Sequence, residues 1–154
     1  KINLRAFKGL KIHVVALSWV IVTVFLPISL NRLDYSIENL IYGFQRYLFV
    51  LAATIPFDIR DIMTDKPQLN TWPQKFGIRK TKIIGLLLLI TSLSMLFFLP
   101  IHQNIIPSVI SYLALILMIL YSSFKQPKFY SSFWVESIPI LWLFLIFISK
   151  LITL

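Results

Sequence analysis

Cysteine is absent from this 154-residue chain, histidine occurs twice and acidic residues only six times. Without cysteine there is no disulfide, no zinc–thiolate site and no thiol nucleophile. Charge of either sign is scarce. Charged residues make up 14% of the chain, against about 25% in soluble domains. Hydrophobic residues account for 58%, with a mean hydropathy of +0.82, where a soluble domain carries about 45–50% apolar residues. The composition is that of an integral membrane protein. Neither an internal repeat nor a low-complexity linker divides it.

The net charge is +9, from fifteen Lys and Arg against six Asp and Glu. In a soluble protein such an excess would point to nucleic acid. Here the basic residues flank apolar runs, the pattern by which membrane proteins set their orientation, so no nucleic-acid partner is expected and the partner is the lipid bilayer. Position 1 is Lys1, not methionine, and no signal peptide precedes the first apolar run. The opening stretch, with Lys1, Arg5, Lys8 and Lys11, is basic and weakly amphipathic, like a loop entering a membrane helix. A transit peptide would be richer in Ser and Arg. The expectation is a piece of a longer protein, lacking N-terminal spans.

A helix needs about 20 apolar residues to cross the hydrocarbon layer. Five segments qualify, roughly 12–30, 38–57, 82–100, 106–123 and 132–152. The predicted fold class is all-α, a multi-pass transmembrane bundle in one membrane domain. Its one long polar connection is 58–81. Pro27, Pro100 and Pro107 fall at segment ends, whereas Pro56 and Pro139 are placed to kink spans. With the N-terminus in the cytoplasm, twelve of the fifteen Lys and Arg lie on the cytoplasmic side, Arg32 and Lys150 on the other, and Arg46 inside the second span. That asymmetry puts loop 58–81 in the cytoplasm, with a bacterial inner membrane as the default. Tyr35, Tyr42, Trp72 and Tyr130 fall near predicted boundaries, as interfacial anchors do. His13 and His102 read as interfacial polar residues at span ends. Glu136 lies in the first turn of the last span, where a helix N-terminus tolerates an acid.

Three of the six acids, Asp58, Asp61 and Asp65, crowd into eight residues directly after the second apolar run. Spacings of i, i+3 and i+7 put them on one helix face, where like charges repel unless a cation sits among them. Hard oxygen ligands select Mg²⁺ or Ca²⁺. Magnesium usually takes one or two carboxylates and completes its shell with waters and phosphates, so acids beside Arg60, Lys66 and Lys75 suit a metal-bridged diphosphate better than a closed metal cage. Arg46 lies 12 residues before Asp58, about 18 Å along a continuous helix. It either faces a cavity or partner, or snorkels to the far interface.

Asp58, Arg60, Asp61 and Asp65, followed by Thr71, Pro73 and Gly77, resemble the second aspartate-rich motif of UbiA-type intramembrane prenyltransferases, with its D-x-R-D-x-x-x-D, spacer, T-x-P and glycine. The first span, with Arg5, Lys8, Lys11, Trp19 and Pro27, is similar to that family as well. The resemblance covers the C-terminal five of the family's usual nine spans. It implies that Mg²⁺ on a prenyl diphosphate promotes ionisation to an allylic carbocation, which a hydrophobic aromatic or quinone-precursor acceptor then attacks. Asp61 and Asp65 match the D-x-x-x-D pair and are assigned to Mg²⁺. Asp58 is either a further ligand or an acceptor for Arg60. Arg60, Lys75, Arg79, Lys80 and Arg46 are the candidate diphosphate contacts. The family's usual glycine between the last Asp and the Thr is missing, and so is its first aspartate-rich motif. Asn31 and Asp34, the only candidate pair, fall on the wrong side of the membrane. The alternative expectation is a non-catalytic relative or membrane subunit.

Overall fold

The computed structural model describes residues 9–65, 69–99 and 105–152, which are helical with no strand among them. Four helices are long and apolar enough to cross a membrane: α1 (Leu10–Leu30), α2 (Ile37–Met63), α4 (Ile78–Phe98) and α6 (Tyr130–Leu151). A fifth apolar helix, α5 (Ile105–Tyr121), has 17 residues, about 25 Å at the α-helical rise. The short α3 (Trp72–Phe76) lies between α2 and α4. The all-α multi-pass membrane bundle read from the sequence is the fold observed. Lys1, Arg5, Lys8, Lys66, Pro100 and His102 lie outside the described residues.

Span ends depart from the expected ones where local chemistry differs from hydropathy. Ser36 starts α2, its Oγ accepting from the Asn39 N–H at 3.3 Å. The polar connection expected over 58–81 is largely helical instead. Asp58 and Arg60 continue α2, and Asp61–Met63 tightens into a 3₁₀ turn. Helix α4 already starts at Ile78. Backbone hydrogen bonds do not end where side chains turn polar, so composition alone misplaces these ends. Gly77 (φ 79°, ψ 159°) lets the chain pivot from α3 into α4, in backbone space that is essentially glycine's alone.

Helix α2 is the hub, packing against α1, α4, α5 and α6. Close approach to α4 is possible because Gly85 has no side chain; a Cβ there would come within 2.6 Å of Ile55 Cδ1. The core comprises Phe49, Ala52, Ile55 and Ile59 of α2 with Leu89, Tyr112, Leu115, Ile119, Val135, Ile138 and Trp142. Ser92 Oγ donates to the Gln45 carbonyl at 2.8 Å and lies 2.6 Å from the Tyr112 hydroxyl. Gln45 Nε2 also donates to Tyr112. This buried polar knot joins α2, α4 and α5. Outward-facing Leu17, Val22, Leu87, Phe144 and Phe147 are exposed, the distribution of a protein solvated by lipid.

Two prolines reshape the helices opposite α2. Pro27 has no N–H to give and its ring presses on the preceding turn, and the helix widens into a π turn over Ile21–Phe25. Pro139 does the same to α6, whose first turns, Tyr130–Val135, form the second π turn. Pro56, by contrast, lies within α2 without interrupting it.

Candidate functional site

A cavity of about 940 Å³ lies between α1, α2 and α6. Its α2 wall is one continuous stripe: Tyr42, Arg46, Phe49, Val50, Ala53, Thr54, Phe57, Asp58 and Asp61, spaced three and four apart. Facing it are Lys11, Val15, Trp19 and Thr23 of α1 and Glu136, Ile138, Trp142 and Ile146 of α6. Both facing helices carry one of the π turns, an arrangement common where a helix must make room for a site.

Charges gather at one end. Arg60 forks onto Asp61, with Nε to Oδ1 at 2.7 Å and Nη2 to Oδ2 at 2.8 Å. Its Nη1 donates to Ser131 Oγ at 2.7 Å and to Ser132 Oγ at 3.2 Å. One guanidinium thus clamps the end of α2 to the first turn of α6. Lys11 acts electrostatically on both Asp58 and Asp61, Lys128 on Asp61, and Glu136 on Arg60. Asp58 is buried at the cavity wall. Gln74 holds the segment beyond: its Nε2 donates to the Asp65 carbonyl at 3.1 Å and its Oε1 accepts from the Thr71 N–H at 3.1 Å. The Thr, Pro and Gly of the sequence pattern therefore shape a turn.

Several sequence assignments change on this geometry. The three aspartates do not ride one helix face, because the chain leaves the α-helix at Arg60 and Asp65 stands beyond the 3₁₀ turn. Arg60 pairs with Asp61, not with Asp58. Lys75, Arg79 and Lys80 are exposed and do not line the cavity; Lys75 borders a separate 270 Å³ cleft with His13 and Trp72. Arg46 does line the cavity, but about 18 Å along the helix from Asp58. Tyr42, Trp72 and Tyr130 are half-buried and each has a partner within the bundle. Tyr42 accepts from Arg46, Trp72 meets the His13 ring edge-on, and Tyr130 donates to the Met118 carbonyl. His13, read as a simple interfacial residue, is hydrogen-bonded to the Tyr47 hydroxyl at 2.6 Å.

Among the described residues no group of three or more His, Cys, Asp or Glu is arranged to hold a metal. Both Asp61 oxygens are taken by Arg60, while Asp65 Oδ2 is buried with no hydrogen-bond partner and Asp58 faces the cavity. A Mg²⁺ held here would rest on one or two of these carboxylates at most, with phosphate oxygens and waters completing the shell, and of the three only Asp58 and Asp61 line the cavity. The donor set does not fit a closed three-carboxylate site.

In the sequence Lys11, Trp19 and Glu136 were read only as parts of the first and last spans, and Trp142 was not singled out; none was named as a cavity residue. For α2 a signal was there to read, since Tyr42, Arg46, Thr54, Asp58 and Asp61 recur at helical spacing within an apolar span. For α1 and α6 there was none, because nothing local says which helices face that stripe. Comparison with protein-family models, curated proteins and solved structures finds no match.

Proposed function

We propose that this chain carries the second aspartate-rich motif of an intramembrane prenyltransferase, which moves an isoprenyl group from a prenyl diphosphate to a hydrophobic acceptor such as an aromatic quinone precursor. One observation carries the reading: the cavity is amphipathic along its length. Lys11, Asp58, Arg60 and Asp61 occupy one end, and the wall beyond them is Phe57, Ala53, Val50 and Phe49. A prenyl diphosphate has the same division between a charged head and an apolar chain. In the reaction the bond from the first prenyl carbon to the diphosphate oxygen breaks, and its electron pair leaves with the diphosphate. An electron pair of the acceptor forms the new carbon bond, and the acceptor loses a proton. Lys11 and the outer edge of Arg60 stand where negative charge grows on the leaving group. The apolar wall keeps water from intercepting the electron-poor chain. Held by Asp58 at the cavity wall, with Asp65 next to that end, Mg²⁺ would supply charge neutralisation of the diphosphate. The Lys and Arg distribution supports a cytoplasmic location for this end, and a bacterial inner membrane is the default setting of the proposal.

The test is Mg²⁺-dependent binding of farnesyl diphosphate to the protein in nanodiscs, together with transfer to an aromatic acceptor. Asp58→Asn and Asp65→Asn are each expected to weaken binding about tenfold, the equivalent of one charge-assisted contact. Transfer that is unchanged in an Asp61→Ala/Asp65→Ala double variant would sink the reading.

A second reading, a non-catalytic membrane subunit descended from such an enzyme, is favoured by the Arg60–Asp61 fork. A carboxylate committed to holding α2 against α6 is structural. On that reading farnesyl diphosphate does not bind, with or without Mg²⁺.

A further inference from the structure

The 270 Å³ cleft beside Lys75 shares no lining residue with the large cavity and has no part in the proposed reaction. It lies where two spans begin, α1 at Leu10 and α4 at Ile78. The Gly9 N–H donates to the Leu69 carbonyl at 3.2 Å, tying the start of α1 to the turn before α3. Four side chains give the cleft its chemistry: His13 of α1, Asn70 of the turn, and Trp72 and Lys75 of α3. The Tyr47 hydroxyl lies 2.6 Å from His13 Nδ1, and Trp72 meets the same ring edge-on. The imidazole is thereby fixed, and its Nε2 is left for a ligand. Asn70 is held at φ 51°, a left-handed conformation that asparagine tolerates. Lys75 is exposed and has no acidic partner among the described residues, and no acid lines the cleft with it. Arg79 and Lys80, also exposed, add positive charge at the start of α4.

We propose that this cleft seats the headgroup of an anionic glycerophospholipid, with its phosphodiester taken by Lys75, Asn70 and His13. A phosphodiester carries one negative charge, which one lysine balances, and its oxygens accept from an amide and an imidazole N–H. A free phosphate offers similar oxygens, but the surroundings of the cleft favour a lipid. Leu10 lines the cleft and starts an exposed stripe on α1 that Val14 and Leu17 continue at helical spacing. The stripe occupies a different face of α1 from Lys11, Val15 and Trp19, which line the cavity. An acyl chain hanging from the headgroup would run along it into the hydrocarbon layer. Trp72 and the exposed Phe76 border the cleft, as aromatic residues do at headgroup level. Basic residues next to a span attract anionic lipid in the same way.

The proposal does not rest on prenyl transfer, and its test contains neither Mg²⁺ nor a diphosphate, so the two fail separately. The protein is placed in dodecyl maltoside micelles doped with equal amounts of phosphatidylglycerol and phosphatidylcholine. Native mass spectrometry then counts the lipids retained. One phosphatidylglycerol is expected to stay bound in preference to phosphatidylcholine, and millimolar inorganic phosphate should not displace it. Lys75→Gln should lower that retention about tenfold, the equivalent of one charge-assisted contact. Asn70→Gly keeps the left-handed backbone while removing the amide, and should lower it less. Lys125→Gln removes the same charge from an exposed residue elsewhere and should leave retention unchanged. Equal retention of the two lipids, no loss in Lys75→Gln, or an equal loss in Lys125→Gln overturns the proposal. Displacement by inorganic phosphate overturns it too, in favour of a free anion.

Discussion

The two ends of the cavity handle charge in opposite ways. At the Asp58 end the acids and bases are mixed: Arg60 is hydrogen-bonded to Asp61 and to two serine hydroxyls, and Lys11 acts electrostatically on both Asp58 and Asp61. At the Arg46 end a single cation rests on aromatic faces and one tyrosine hydroxyl. The first end is near the edge of the span, where ion pairs can be hydrated and cost little. The second is the tenth residue of α2, where an opposite charge would need equal desolvation and aromatic quadrupoles substitute for it. Arg60 at the edge ties α2 to α6 through hydrogen bonds, whereas Arg46 rests on aromatic faces of α2 and α6.

The largest expected effect comes from breaking the fork. Arg60→Met removes its hydrogen bonds and leaves Asp61 unpaired, which should cost about 2–3 kcal/mol given that both partners are partly exposed. Unfolding in mixed micelles with SDS, followed by far-UV circular dichroism, measures it. A loss below about 0.5 kcal/mol, the level of an ordinary surface pair, would mean that the fork is not structural. Next is the polar knot beside Arg46. Tyr112→Phe deprives Gln45 and Ser92 of a shared partner and should cost about 1 kcal/mol, at the upper end for hydrogen bonds between membrane helices. Smallest of the three is Arg46→Met. Removing a buried cation recovers about 3 kcal/mol of insertion cost, against the loss of about 2 kcal/mol of cation–π attraction and about 1 kcal/mol of hydrogen bonding. The net change should lie within about 1 kcal/mol of zero. A loss as large as that of Arg60→Met in the same assay would erase the contrast between the two ends.

The contrast was only half visible in the sequence. Asp58, Arg60, Asp61 and Asp65 stood out as a group because acids are rare in this chain, and their position at the end of a span was readable. Which partner Arg60 takes was not. That depends on the 3₁₀ turn at Asp61–Met63, which swings Asp61 back toward its neighbour, and on Ser131 and Ser132 arriving from α6. Arg46 was readable as a charge inside a span, with a cavity and the interface as equal alternatives. Trp142, almost a hundred positions away, decides for the cavity. Lys75, Arg79 and Lys80 looked like phosphate contacts because they follow the motif closely. Lys75 sits on α3 beside a separate cleft, and Gly77 and the start of α4 carry Arg79 and Lys80 away from the cavity.

Apolar run lengths, the positions of prolines and the scarcity of charge were enough to determine an all-helical membrane protein and the approximate limits of its spans. They suffice because a backbone in lipid must satisfy its own hydrogen bonds, and a helix does so from local sequence alone. Which faces of α1, α2 and α6 meet, and therefore that Lys11, Asp58, Arg46 and Trp142 share one cavity, was decided only by tertiary packing. Lipid tails are as apolar as leucine side chains, so hydrophobicity does not select partners within the bilayer. Close fit at Gly85 and the polar knot of Gln45, Ser92 and Tyr112 select them instead.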